Sequence, residues 1–537
     1  MKKIYGLLVL ATFAIMMHAG ARTQHDKTFL MPRSHNENLA MEYTTWHKTW
    51  EKTDEKGYGG TIQAVGFYQE SENEKALGNY FGAYNNATSN AVTNPYSGQI
   101  MDYIWVAERP PLSLTNNEQA LLLESRHIIH DQIGDVSTRL HVKAQMRPES
   151  ESYGVRLDYY QNLDKILKRA FLKVTVPIVH VQNNMNVSYT GTVLTQAMPN
   201  NQATGATGSA VSLADYLAGR IYNPGSGENK QEALTAAKID GSRSRTGVAD
   251  VDVTFGYNFI KAEHHRWSLQ ACLSVPTGNK PRGTYLFEPV IGAGKHWALG
   301  GGTDATIDIW ESNSWLVQLL IGLNYKYRFQ STETRTLSFK YDDSISQATT
   351  IGTAGQRVPY GFYFLGGENG KYGVFPLANV LNRDVGVLPG SMVEGMLAFS
   401  LNFNKFVFDV GYNLFHKEGE RVKLKDWPDN TYAIAAQGYS ADIATGNTFR
   451  PTNINDAFDG SGVGAGTLTP IQREHLLPST VESPACTTHK IFGGLGACFD
   501  FWKFPLMIGG GASYEFLQRS NTGLEGYAFW GKLGVTF

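Results

Sequence analysis

Along much of this chain every second residue is apolar, and the stretches outlast the five or six residues of an ordinary strand. From Val251 the odd positions read Val251, Val253, Phe255, Tyr257 and Phe259, while Asp250, Asp252, Thr254, Gly256 and Asn258 hold the even ones. Successive strand side chains point to opposite faces, so each stretch predicts a strand with one greasy and one polar face. The pattern recurs over residues 153–159, 267–275 and 315–329. It also runs from Met392 to Phe403, turns at Asn404-Lys405 and resumes from Phe406 to Leu414, which predicts a hairpin. Each arm is long enough to cross a bilayer as a tilted strand. In the last stretch Tyr527, Phe529, Leu533, Val535 and the terminal Phe537 share one face.

Alternation of this length predicts an all-β fold: a transmembrane antiparallel β-barrel of about 14–16 strands with long external loops. A soluble all-β protein, in which alternation separates core from solvent, is the competing reading. Further strands are expected near 58–69, 78–84, 136–147, 152–161, 168–182, 284–293 and 296–310. With the carboxyl terminus in the periplasm, parity makes 404–405 and 330–332 periplasmic turns. The same count makes 183–246, 341–389 and 417–486 long external loops. Residues 212–218 and 230–239 have helical character within the first of these loops, as does 117–126 upstream of it.

The opening residues add a compartment. Lys2 and Lys3, an apolar run from Ile4 to Met17 and then Ala19-Gly20-Ala21 have the three parts of a secretory signal. The run is shorter than the roughly 20 residues of a spanning helix. The expected division is therefore 1–21 signal peptide, 22–57 an N-terminal periplasmic or plug segment, and 58–537 barrel, with localisation in the outer membrane. Glycine at 56 of 537 residues and 12% aromatics suit closely packed strands with interfacial rings. Three cysteines do not make a disulfide scaffold, and a formal charge of −2 gives no electrostatic case for nucleic acid.

Polar-face residues are the candidate lumen lining: Arg139, Lys143, Arg156, Asp158, Asp250, Asp252, Lys326, Arg328, Glu394, Asp409, Asp500, Glu515 and Lys532. Rings of charge inside a barrel tune which solutes pass, and the same residues can equally form structural salt bridges across a packed interior. Phe537, closing an alternating strand, is the candidate assembly signal. The expected partners are outer-membrane lipid, the barrel-assembly machinery and a small-molecule solute, with no cofactor and no metal. His264-His265 and the pair His127/His130 lack the companions of a tetrahedral metal site. A barrel hydrolase would need a base such as His489 or His416 beside a nucleophile, and neither has one by spacing. A surface adhesion barrel with a closed lumen is the other alternative to a channel, and an enzyme is not expected.

The stretch Gly247-Val-Ala-Asp-Val-Asp-Val-Thr-Phe-Gly-Tyr257, followed by Ser274-Val-Pro-Thr-Gly278, resembles a segment of the outer-membrane barrels associated with phenol and aromatic degradation. Those are similar to the long-chain fatty-acid channels. The likeness spans about fifty to ninety residues of small residues and alternation. It implies passive uptake of a hydrophobic or aromatic compound, with Pro276 to Gly278 at an external loop. The 212–239 and 417–486 regions depart from the pattern.

Overall fold

Twelve of the alternating stretches pair edge to edge into one closed antiparallel barrel. The computed structural model describes residues 27–45, 59–81, 104–106, 140–192, 213–220, 222, 232–262, 264–312, 314–339, 361–363, 365–368, 375–434, 470–501, 504–518 and 522–537. The barrel strands are β1 (Gly60–Ser71), β2 (Glu149–Asn162), β3 (Ala170–Asn184), β4 (Val251–Ala262), β5 (His265–Val275) and β6 (Ala298–Ser312). They continue with β7 (Trp315–Arg328), β8 (Gly390–Phe403), β9 (Phe406–Lys417), β10 (Cys486–Phe501), β11 (Phe504–Leu517) and β12 (Gly526–Thr536). A short extension, Arg243–Val248, continues the line of β4 along β3 after a break at Ala249-Asp250. β12 closes the barrel on β1, with Thr61 opposite Thr536 and Ser71 opposite Gly526. Closure leaves no unpaired sheet edge.

The faces divide as the alternation predicts. Phe406 is 62% exposed and Leu495 65%, while the inward Asp409 and Asn413 are 0% exposed. Rings gather at both rims of the outer face: Trp267, Trp315, Phe406, Phe499, Phe504 and Phe537 at the carboxyl-terminal end, and Tyr153, Trp297, Tyr325 and Tyr514 at the other. Aliphatic Leu269, Leu323, Leu397, Ile491 and Leu533 lie between. Trp and Tyr weight both rims, while aliphatic residues with Phe255, Phe399 and Phe529 fill the band between, which is the profile of a bilayer. Among the described residues no helix is long and apolar enough to cross a membrane.

The strand number is twelve, not fourteen to sixteen, and each surplus strand has a physical reason. Residues 74–81 form a helix, Glu74–Phe81, with Leu77, Tyr80 and Phe81 buried at helical spacing. Leu140–Gln145 pairs with Ile104–Val106 and Ser188–Thr192 in a small separate sheet, so the strand that carries Lys143 is not one of the barrel strands. Residues 284–293 are not a strand: Gly292, Gly294 and Lys295 take positive φ, and the Glu288 carboxylate accepts from the Arg282 and Gly283 amides to hold a turn. Ser331–Thr336 pairs with Asn382–Leu388, which pairs in turn with Arg421–Leu424, so 330–332 is not a turn at the carboxyl-terminal end. Helix forms at Leu213–Leu217, but 232–239 is extended and irregular. Residues 1–26, the stretch 117–126, and His127, His130 and Arg139 lie outside the described residues.

These small sheets and helices converge on the end of the barrel opposite the carboxyl terminus. There they share a hydrophobic core that includes Leu77, Tyr80, Tyr216, Leu217, Phe339, Tyr363, Leu381, Trp427 and Val481. The result is a folded cap with its own interior. Leu30, from the N-terminal segment, belongs to that interior.

Candidate functional site

Inside the barrel, residues 27–45 lie against the polar face that alternation demands. The segment starts in the cap, where the Lys27 amide donates to the Tyr80 carbonyl (2.9 Å) and the Thr28 amide to the Thr480 carbonyl (3.0 Å). Tyr80 Oη donates to the Phe29 carbonyl (2.6 Å), and the buried Arg335 guanidinium lies 3.6 Å above the Phe29 ring. Arg335 is itself fixed by Glu333 and Glu420. Lys417 Nζ then donates to the Met31 carbonyl at 2.5 Å, and the segment descends along the lumen.

From here each charge on the segment finds one of opposite sign on the wall. Arg33 pairs with Glu515 at 2.9 Å and with Glu394, and stacks on Phe415 at 4.3 Å. Glu37 pairs with Arg328, and Asn36 Nδ2 donates to Asp252 at 2.7 Å. Asn38 caps the helix Leu39–Tyr43 by accepting from the Met41 amide. Glu394 accepts from the Leu39 amide at the helix start (2.8 Å), and Lys532 Nζ donates to the Glu42 and Thr44 carbonyls at its end (3.0 and 2.6 Å). An anion at the amino end and a cation at the carboxyl end satisfy the groups a helix leaves unpaired. Glu42 bridges Arg156 at 2.6 Å and Lys173 at 2.5 Å, and the Thr45 amide donates to Asp409 at 2.6 Å.

The barrel wall is built to admit the segment. A Cβ on Gly494 would lie 2.1 Å from Thr44 Cγ2, and one on Gly496 would lie 2.7 Å from Thr45 Cγ2. Glycine at these inward positions lets Thr44 and Thr45 sit against bare backbone.

Of the sequence-predicted residues, Arg156, Asp252, Arg328, Glu394, Asp409, Glu515 and Lys532 touch the segment directly. Asp158 supports Arg156 (2.8 Å) and accepts from Thr175 and Gln63. Lys326 holds Asp252 at 2.6 Å. Asp250 sits apart, accepting from the Gly278 and Ala293 amides to fold the 276–297 connection inward. The side chain of Asp500 lies outside the described residues. Phe537 closes the seam, exchanging backbone hydrogen bonds with Gly60. Sequence reasoning passed over Arg33, Asn36, Glu37, Glu42, Lys173 and Lys490. The available signal was Asn38 ahead of Leu-Ala-Met-Glu, a helix start inside a segment otherwise read only as periplasmic or plug.

Among the described residues, two small cavities lie beside the segment. A cavity of about 70 Å³ lies beside Arg33, His35, Phe67, Phe415 and Glu515, and another of about 30 Å³ lies beside Glu42, Asp252 and Lys326. Both can hold water, but a dry site that takes benzene measures about 150 Å³. His489 is bonded to Tyr412 at 2.5 Å and stacked on Phe516, and His416 is bonded to Thr487 at 2.8 Å. Both lie on the outer side of the wall, away from the lumen. Among the described residues no group of three His, Cys, Asp or Glu forms a metal cluster.

These features define a closed antiparallel barrel with an apolar exterior and a polar lumen filled by its own N-terminal segment. No known family model matches the chain, and no curated protein matches it in sequence. Among solved structures it is similar to an outer-membrane channel of the COG4313 group from Pseudomonas putida F1, at 10% identity and TM-score 0.34, over 89% of this chain and 96% of that one. It is also similar to a TodX deltaS2S3 mutant, a monoaromatic hydrocarbon channel, at 9% identity and TM-score 0.31, over 94% of this chain and 95% of that one. A Pseudomonas aeruginosa FadL homologue covers 89% of each chain at 8% identity and TM-score 0.24. The outer-membrane protease OmpT, an enzyme, also falls among the similar barrels at TM-score 0.21.

Proposed function

We propose that the protein is an outer-membrane channel, its carboxyl-terminal end facing the periplasm and its cap facing out, in which residues 27–45 form a plug that must shift before a small solute can pass. The observation that carries this reading is the character of the wall behind the plug. Arg156, Lys173, Lys326, Arg328, Glu394, Asp409, Glu515 and Lys532 all face inward. A barrel meant only to be packed shut gains nothing from lining its interior with charges, which are costly to bury. A wall of charges paired to a separable segment is already prepared for water once that segment moves.

The solute class is drawn from the side chains around the cavity of about 70 Å³, which admits a ring only once the plug has moved: Phe67, Phe415 and Met41 lie there beside Arg33, His35 and Glu37. A ring bearing a polar group, as in a phenolic compound, suits that mixture, and it agrees with the resemblance of the 247–278 stretch to aromatic-uptake barrels. Planar-bilayer recordings and liposome swelling should compare the intact protein with one lacking residues 27–45. The deletion is expected to conduct continuously and the intact protein rarely. No conductance from either would remove the pore claim.

The cap favours a second reading, a surface barrel that binds a partner through its folded loops. Removing 418–485 separates the two, because in the channel reading it also removes Thr480 and Ser483, which hold the plug. Permeability should then rise. Binding lost with permeability unchanged would favour the adhesion barrel.

A further inference from the structure

At the carboxyl-terminal end four successive strand pairs, β4–β5, β6–β7, β8–β9 and β10–β11, are separated by only two residues each. The β2–β3 connection at the same end has seven, residues 163–169. It is ordered by its own hydrogen bonds: the Ile166 and Leu167 amides donate to the Leu163 carbonyl, the Leu163 amide to the Ala170 carbonyl, and the Ala170 amide to the Leu167 carbonyl. The Asp164 carboxylate accepts from the Arg169 amide, and Arg169 takes φ 67°, which fixes the turn's exit.

That rigid turn shows its apolar side chains to the outside. Ile166 is 76% exposed and Leu167 50%. They project from the rim just beyond the greasy band of Tyr159, Ile260 and Trp267. Around them stand Lys165, Lys168 and Arg169, all exposed, with Lys261 3.6 Å from Asp164. Asp164 is the one acid within the turn. The neighbouring hairpin is different, since His264 there faces Asp308 at 3.5 Å and Glu311 at 3.7 Å. Four cations thus gather in this sector of the rim.

We propose that the 163–169 turn is a docking site for anionic phospholipid headgroups of the periplasmic leaflet, with Ile166 and Leu167 inserted at the acyl boundary and Lys165, Lys168, Arg169 and Lys261 meeting the phosphates. The proposal rests on reading the barrel as a membrane protein with its carboxyl-terminal end in the periplasm, but not on the lumen conducting. An apolar pair flanked by cations, held at the level of an interface, is the pattern by which a surface segment reads anionic lipid. A periplasmic protein would have to bring its own acidic apolar groove to the same place. The bilayer already supplies both the charge and the depth.

The test uses the full chain in detergent micelles, with native mass spectrometry after equal additions of phosphatidylglycerol and phosphatidylethanolamine. The wild type should retain phosphatidylglycerol preferentially. A Lys165→Gln/Lys168→Gln/Arg169→Gln variant should lose that preference by roughly fivefold per cation at low salt. Ile166→Ser/Leu167→Ser should keep the headgroup preference. In vesicles containing phosphatidylglycerol, brominated acyl chains should quench the added indole of a Leu167→Trp variant. Heat-modifiable migration on gels confirms that each variant is a folded barrel. Equal retention of the two lipids by the wild type, or an unchanged preference in the neutralised variant, overturns the proposal. So does a photo-crosslinker at position 166 that captures a protein while lipid preference is absent. Conductance measured on the same preparations reports on the pore separately.

Discussion

Removing the Glu42 carboxylate should open the lumen, and the size of the effect follows from what it leaves behind. Glu42 is nearly buried and bridges Arg156 and Lys173, whose side chains are 1% and 7% exposed. In Glu42→Ala the closed state keeps two buried cations, Arg156 with Asp158 still beside it and Lys173 with only the charge of Asp304 to offset it among the described acids. Breaking a buried pair by deleting one partner costs about 3–5 kcal/mol. Asp158 still compensates Arg156 at 2.8 Å, so the lower figure, about 3 kcal/mol, is the reasonable expectation. Once the plug has moved, both cations face water in either protein, so the loss falls on the closed state alone. The open-to-closed ratio should therefore rise by about 150-fold. Single-channel recordings give that ratio directly as open probability, with Glu42→Gln as a control that keeps the volume and loses the charge. A folded, heat-modifiable Glu42→Ala protein whose open probability stays within a few-fold of wild type would refute the idea that these ion pairs hold the plug.

The other expectations concern the seat, the latch and the seam. Gly494→Val places a side chain where Thr44 Cγ2 sits, so it should raise conductance without reducing the yield of folded barrel, read by swelling and by gel migration. Phe29→Ala removes the ring beneath Arg335; a desolvated cation–π contact contributes about 2 kcal/mol, so openings should become roughly 30-fold more frequent in bilayer recordings. Burial works to raise the Glu420 carboxyl, and the charge and hydrogen bonds of Arg335 overcome it, holding the group below the usual carboxylate range. Its contribution to the latch is thus present above the ordinary carboxylate pKa and is lost as pH falls through the depressed value. Acid should promote opening, and Glu420→Gln should flatten that dependence; a pH profile identical in both proteins would contradict it. Phe537→Ala should lower the fraction of chain that reaches the heat-modifiable form in the outer membrane, consistent with a role of the terminal ring in assembly.

The barrel was legible in the sequence because hydrocarbon on one side and a polar lumen on the other impose the same two-residue period on every strand. Val251 to Phe259 and Phe406 to Leu414 carry it without interruption. The cap obscured the count, because its short strands also bury one face, there against a protein core rather than lipid. Ser331–Thr336 is the clearest case. Local chemistry was the better guide at 292–295, where the glycines and a left-handed lysine break the extended chain. Two of the surplus strands, at 284–293 and beyond residue 332, cancelled in the parity count. The loop at 183–246 therefore still came out on the cap side; 417–486 is reached in the count before either surplus strand and was unaffected.

The lumen was half legible. Inward charges such as Arg156 and Glu394 follow from alternation, but their partners do not. Arg33 meets Glu394 across 361 residues and Glu42 meets Arg156 across 114, and no local pattern encodes such pairings. On the sequence alone Arg33, Glu37 and Glu42 look like the solvated charges of a tail.

The seam between β1 and β12 joins the first strand of the barrel to the last, with Thr61 hydrogen-bonded to Thr536 across 475 residues. No shorter length of this chain can complete the cylinder. A product missing its final strand would present two raw edges, each a template for pairing with other chains. The closing pair thus comes from opposite ends of the barrel's sequence, so neither edge is protected until both strands are in place.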